Sequence, residues 1–345
     1  MEKLLTIVIP TYNMEELLPR CLDSLVTPVI NDKVEVLVVN DGSKDNSLKI
    51  AQTYEKKYPN VIKAIDKENG NYGSTINKGI EIASGKYFRI LDSDDFYSNS
   101  GLIELVNRIE NTDVDIILTN YRRDRGRIRD IYKGLDNLKD IKLDFDEVDL
   151  SLFPNFAMHG ITYKTSILRE NNIRLQTGIS YTDSEYCFYP LPFVKTMEYY
   201  DLLVYCYQVG RPGQTVDIKS QVRSIPHMVK IINRMYEYLK GVSVSESYFQ
   251  KLKRVFCNSM NLCFSTALCY DKSNSHLIEI DKMKLYAENI CGVNEVLLEK
   301  NMFGVKYYMR YVEKGKTSNS TLFIAYYSMI RSLARLYFTM KSSVL

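Results

Sequence analysis

Apolar and polar positions alternate in blocks along the first third of the chain. Residues 4–9, 34–39, 61–65, 87–91 and 114–118 are short apolar runs with the length of buried strands. Segments of helical spacing lie between them. In 15–25, Leu17, Leu18, Cys21, Leu22 and Leu25 share a face, and a helix capped by Ser43 or Asp45 runs through Tyr58 with Leu48, Ile50, Ala51 and Tyr54. Further helices are expected over 73–83, ended by Ser84-Gly85, and over 102–109. Strand–helix–strand repetition predicts an α/β fold, a mostly parallel sheet flanked by helices. Beyond 120 the regularity breaks. RRDRGRIRD at 122–130 predicts a hairpin or loop carrying five arginines, 136–150 is acidic, and 152–210 holds mixed short elements. From Ser220 onward the pattern is helical, with few Gly or Pro. The expected organisation is an α/β domain over 1–219, with halves meeting near 120, and a helical region over 220–345.

Sheets of this kind bind ligands beyond the carboxyl ends of their strands. The polar residues gather there: Pro10-Thr11-Tyr12-Asn13, Asn40-Asp41-Gly42-Ser43, Asp66, and Asp92-Ser93-Asp94-Asp95. Carboxylates crowded at Asp92, Asp94 and Asp95 repel one another, and a hard cation such as Mg²⁺ or Mn²⁺ would compensate them. A solvated turn or helix N-cap is the plain alternative. The buried strand before these residues and the other polar strand ends favour the cation. Asp41 suits either a contact to a base or ribose or a turn before Gly42. ENGNYGSTINKG at 68–79 opens a helix whose backbone N–H groups suit phosphate, but it matches neither a P-loop nor G-x-G-x-x-G, and a flexible loop fits as well. Asp183 and Glu185 in YTDSEY are candidate general bases. Arg211 in GRPGQT suits phosphate or a surface turn. Lone histidines such as His159 and His227 more often pack than ligate, and the arginines of 122–129 read first as a solvated hairpin.

Composition narrows this picture. The chain has 345 residues, 45% hydrophobic and 25% charged, which is globular. A net charge of only +3 offers no general argument for a nucleic-acid partner. Seven cysteines, an odd number without a C-x-x-C pair, argue against a disulfide framework or zinc site and for a reducing cytoplasm. The apolar start of MEKLLTIVIPTYN is short and meets Pro10, unlike a signal peptide. Residues 317–330 are too few to span a bilayer. The basic, apolar stretch 320–341 is expected either to lie on an anionic membrane face or to pack on the protein or in a homodimer interface.

TIVIPTYN, then VEVLVVNDGSKDNS, then NKGIEIASGKYFRILDSDD resemble, in order and spacing, a family 2 glycosyltransferase of the GT-A fold. The resemblance is strong over 4–120 and weaker through YTDSEY and VYCYQVGRPGQTV to about 216. It implies a metal-dependent, inverting enzyme at the cytoplasmic side of the membrane. Such an enzyme moves a sugar from a nucleotide-sugar, a UDP-sugar, to a hydroxyl of a glycan or lipid-linked acceptor in bacterial surface-polysaccharide synthesis. Pro10, Thr11 and Tyr12 would line the nucleotide pocket, Asp41 would contact the base, and Asp66, Gly73, Asn77 and Ser93 would belong to the donor side. Asp92 and Asp94 would form the pair that holds Mn²⁺ or Mg²⁺, Asp94 as the direct ligand and Asp92 nearer the ribose or the metal's waters, with Asp95 in support and His227 as a further candidate, since a downstream histidine joins the metal in some relatives. Asp183 would be the base, and Arg211 and Gln214 would cover the diphosphate. Two departures stand out: STINKG lacks the arginine of an Ala-Arg-Asn helix start, and Thr182-Asp183 replaces Glu-Asp while keeping the aspartate. A sugar nucleotidyltransferase would carry a glycine-rich, basic signature where PTYNMEELLPR stands. A phosphatase of the Asp-x-Asp type would carry its motif after the first strand. A non-catalytic glycan-binding scaffold is opposed by intact Asp41, Asp92, Asp94 and Asp183.

Overall fold

The computed structural model describes residues 3–211, 213–271 and a few isolated residues beyond them. The chain divides into two compact units, Met1–Arg211 and Pro212–Leu345.

The first unit is built on one sheet. Its strands are β1 (Leu5–Thr11), β2 (Val34–Asp41), β3 (Ile62–Lys67), β4 (Tyr87–Ile90), β5 (Phe96–Tyr97), β6 (Ile116–Arg125), β7 (Ile128–Tyr132), β8 (Lys142–Asp144), β9 (Ile161–Lys164) and β10 (Thr196–Gln208). The sheet order is β3-β2-β1-β4-β9-β6-β10-β5, with β7 on β6 and β8 on β10. β3, β2, β1 and β4 run parallel, and every residue of β1 and β2 is buried, as expected of strands covered on both faces. β9 is antiparallel to both β4 and β6, so β6 and its parallel neighbour β10 run in the direction of β1. The carboxyl ends of six strands therefore leave at one edge. β9, four residues inserted between β4 and β6, has no sequence period and was not expected.

Helices α1 (Leu18–Asp23), α2 (Ser47–Lys57), α3 (Asn71–Ile82), α4 (Asn99–Ile109), α5 (Thr165–Glu170) and α6 (Asp183–Phe188) connect and flank the strands. α1 is shorter than its apolar face suggests, because Pro19 sits in its first turn, where a missing N–H costs nothing. Pro10 is tolerated in β1 because β4 pairs β1 only as far as Val8. α4 begins where Ser98 accepts from the Gly101 N–H, and buries Leu102, Leu105, Val106 and Ile109. α3 approaches the segment before α6 closely: a Cβ on Gly73 would lie 2.1 Å from the Gln176 carbonyl oxygen. Gly73→Ala is therefore expected to cost about 2–3 kcal/mol through forced backbone movement. Urea denaturation reads this, and an unchanged midpoint would contradict so close an approach.

The second unit begins with α7 (Ile218–Arg223), α8 (Ile225–Gly241) and α9 (Glu246–Cys269). Met228, Ile232, Met235 and Leu239 form a buried stripe on α8 at helical spacing. A four-residue link turns the chain into α9, where Ser245 caps by accepting from the Tyr248 N–H. Among the described residues no helix is long and apolar enough to cross a membrane. The stretch 320–341 lies, Met329 apart, outside the described residues.

Candidate active site

β4 ends in a tight turn in which the Asp95 N–H donates to the Asp92 carbonyl at 3.0 Å. The turn separates the roles of its carboxylates. Asp92 accepts from the Tyr72 hydroxyl at 2.8 Å, which ties it to the first turn of α3. Asp95 is fully buried and accepts from the Tyr205 hydroxyl and the Gln208 N–H, both at 2.7 Å. Tyr205 also accepts from the Asp92 N–H at 3.2 Å, so one phenol on β10 holds both ends of the turn. Asp94 faces Arg211, whose guanidinium donates to it at 2.9 Å. Ser93 is buried between them.

Burial and the charges of Asp94 and Asp183 push the Asp92 carboxyl up to about 8, against the Tyr72 hydrogen bond. Burial, Asp94 and Asp92 likewise raise Asp95. Asp183, first residue of α6, is raised by burial. Its charge reaches Asp92, Tyr72 and Tyr207, so the fold brings a carboxylate some ninety residues distant to the same acidic centre. Its neighbour Glu185 has another task, accepting from the Gln176 backbone at 2.7 Å and side chain at 2.9 Å.

A cation fits this centre. Asp92, Asp95 and His159 each offer a donor atom, and the three lie within 4.8 Å of one another. Nδ1 of His159 is buried without a partner. Burial and the Arg89 charge push this imidazole down to about 3, so it is neutral, the form that ligates metal. The set differs from the expected one. His159, read from sequence as packing, stands beside the aspartates, whereas Asp94 and His227 are outside the cluster. His227 lies on α8 in the second unit.

The ends of β1–β3 form a second feature, a pocket of about 440 Å³ lined by Tyr12, Asn40, Ser43, Asp66, Lys67 and Asn69 among others. Asn40 donates to Asp66 at 2.7 Å, and its own carbonyl oxygen is buried and unpartnered. Asp41 is not among the lining residues; it is held by Lys67 at 2.7 Å and the Gly70 N–H at 2.9 Å. Tyr12 is 47% exposed, while the Thr11 hydroxyl donates back to the Ile9 carbonyl. Both ends of the Asn77 amide are taken by the Leu175 backbone at 2.8 Å, a positioning contact. Gly73 likewise serves close packing against Gln176. Gln214 belongs to the second unit.

The sequence profile of glycosyl transferase family 2 matches residues 6–171. The Rickettsia prowazekii uncharacterized glycosyltransferase RP339 is 30% identical over 243 residues, which cover 68% of this chain and 69% of that protein. The chain belongs to glycosyl transferase family 2. A Bacillus spizizenii poly(ribitol-phosphate) beta-glucosyltransferase is 34% identical over 184 residues, 52% of this chain but only 28% of that longer relative. Among solved structures, S. aureus TarS 1-349 in complex with UDP-GlcNAc superposes with a TM-score of 0.62. It is 18% identical and covers 96% of this chain and 92% of its own. The mannosyltransferase PcManGT from Pyrobaculum calidifontis, in complex with GDP-Man and Mn2+, gives 0.53 at 12% identity, covering 98% and 88%. The fold of this family 2 transferase is thus the GT-A fold of those enzymes, a large, mostly parallel sheet flanked by helices.

Proposed function

We propose that this glycosyltransferase is an inverting enzyme that moves a sugar from a UDP-sugar to a hydroxyl of a glycan or lipid-linked acceptor during surface-polysaccharide synthesis. The observation that carries the reading is the cluster of Asp92, Asp95 and His159, within 4.8 Å of one another, at the sheet edge that also holds the β1–β3 pocket. Two relatives support the finer assignments: the Bacillus protein acts by name on poly(ribitol-phosphate), and the TarS structure holds UDP-GlcNAc.

The pocket at β1–β3 takes the nucleoside. Asp66 and the unpartnered Asn40 oxygen offer acceptors to a base N–H, Asp41 acts through Lys67, which it holds at the pocket wall, and Tyr12 offers a ring face. Pro10, Thr11, Gly73, Asn77 and Ser93 shape the donor side. Arg211 covers the diphosphate and couples that contact to Asp94. Asp92, Asp95 and His159 would hold Mn²⁺ or Mg²⁺, with Asp94 the adjoining carboxylate. When bound, the cation neutralises the diphosphate leaving group. Asp183 takes the proton from the acceptor hydroxyl, and the oxygen attacks the anomeric carbon opposite the leaving nucleotide, inverting it. Localisation at the cytoplasmic membrane face is part of the same proposal.

The test is release of UDP from UDP-glucose and UDP-GlcNAc. Wild type is expected to release UDP with Mn²⁺ and not in EDTA, and Asp92→Asn in neither. Equal release in EDTA would refute the metal assignment.

A further inference from the structure

A histidine that ligates a metal through one nitrogen ordinarily donates its other N–H to a carboxylate or carbonyl, which fixes the plane of the ring. His159 has no such tie. β9 runs antiparallel to β4 and β6, so the chain enters it from the edge where Asp92 and Asp95 sit. His159 stands just before β9, with a donor atom within 4.8 Å of both carboxylates. Its main chain is pinned, because the buried Arg89 donates to its carbonyl at 2.5 Å. Its side chain is not pinned in that way. Nδ1 is buried without a partner, and neither ring nitrogen is hydrogen-bonded among the described residues.

Three tyrosine rings surround the imidazole instead. Tyr205 and Tyr207 lie two apart on β10 and so on one face of the sheet, and Tyr121 on β6 is the register partner of Tyr205. Tyr207 stacks on His159 at 4.5 Å with 28° between the planes. Tyr121 meets it at 5.0 Å and 32°, and Tyr205 makes an edge contact at 4.8 Å and 90°. Turning the imidazole plane would disturb both near-parallel contacts and the perpendicular one together. Two of these rings are fixed by other bonds. The Tyr205 hydroxyl donates to Asp95 at 2.7 Å, and Tyr121 stacks on Tyr132 at 4.6 Å. The Tyr207 hydroxyl makes no hydrogen bond among the described residues, so the stacked face is what this side chain offers the site.

We propose that Tyr207 is a positioning residue of the metal site: its ring, with Tyr121 and Tyr205, sets the plane of the His159 imidazole and aims a nitrogen at the cation held by Asp92 and Asp95. The proposal rests on the metal reading above and adds what orients the nitrogen ligand. Ring stacking here replaces the usual hydrogen bond.

The test is Mn²⁺ binding by the full chain in the presence of UDP, read by electron paramagnetic resonance. Echo modulation of protein labelled with ¹⁵N-histidine reports whether an imidazole nitrogen is bound. Wild type is expected to show a ¹⁵N coupling that His159→Gln lacks. Tyr207→Phe keeps the ring and is expected to keep the coupling, with Mn²⁺ affinity within about twofold of wild type. Tyr207→Leu keeps apolar bulk without the flat face. It is expected to weaken the coupling and to bind Mn²⁺ about tenfold more weakly. In a His159→Gln background the same Leu substitution is expected to change affinity by less than about twofold, since the ring has nothing left to orient. Equal losses in the two backgrounds would mean general loosening and would overturn the proposal. So would equal losses for Phe and Leu, which would assign the effect to the hydroxyl, or an unchanged affinity in the Leu variant. Mn²⁺ bound without a histidine nitrogen would overturn the proposal and leave a carboxylate site standing. Absence of any protein-bound Mn²⁺ would contradict the metal reading itself, and the proposal with it.

Discussion

Asp183→Asn is expected to lower transfer at least about a thousandfold while leaving UDP affinity within twofold of wild type. The asparagine is nearly isosteric but cannot take a proton. Donor binding is assigned to other residues, so the loss falls on the chemical step. Burial raises the Asp183 pKa. The base works only when ionised, so kcat/KM is expected to fall with pH at a value above the ordinary aspartate range near 3.9. Stability gives an independent sign. A carboxyl whose folded pKa is raised loses stability as pH rises from its unfolded to its folded value. Asp183→Asn removes that loss, so its stability at neutral pH is expected to equal or exceed that of wild type. A clear drop in stability would make Asp183 a structural residue, and full transfer activity would remove it as the base.

Arg89→Met is expected to destabilise the protein by about 2–4 kcal/mol. Arg89 on β4 is fully buried. It donates to the Tyr97 hydroxyl at 3.0 Å, the Thr162 hydroxyl at 2.8 Å and the His159 carbonyl at 2.5 Å. Those bonds tie β4 to β5, to β9 and to the segment that carries His159. Among the described residues no carboxylate pairs with it, so the charge is held by neutral acceptors alone. Methionine matches much of the stem volume but leaves the Thr162 and His159 oxygens without this donor. Relief of a buried, unpaired cation works in the opposite direction, which is why the expected cost is below the sum of three charged hydrogen bonds. Guanidinium denaturation measures the net. An equal or higher midpoint would mean that burying the charge costs more than its bonds return.

Much of the sheet is readable from sequence because β1, β2 and β4 are buried on both faces and appear as mainly apolar runs, broken by Glu35 in β2 and Arg89 in β4. Their polar ends mark the crevice edge for the same reason. The site's finer composition depends on contacts between distant residues. His159 looks like any lone histidine until β9 inserts beside β4 and brings it to Asp92. Asn77 looks available for phosphate until Leu175, 98 positions away, occupies both ends of its amide. The Asp92–Asp95 turn is visible as charge crowding, but not which carboxylate faces Arg211 and which is locked by Tyr205. The arginine-rich segment is visible as a hairpin or loop. Its position at the active edge follows only from the antiparallel β9, a strand too short to announce itself.

Calorimetric titration of UDP, GDP and CDP into the wild-type protein, each with Mn²⁺ and with EDTA, tests whether the strand ends of this sheet form a metal-assisted site for a uridine nucleotide. UDP is expected to bind tightest, at least about tenfold more tightly with Mn²⁺ than in EDTA, as loss of a cation between carboxylates and diphosphate implies. No binding of any nucleotide, or UDP affinity indifferent to the metal, would contradict it.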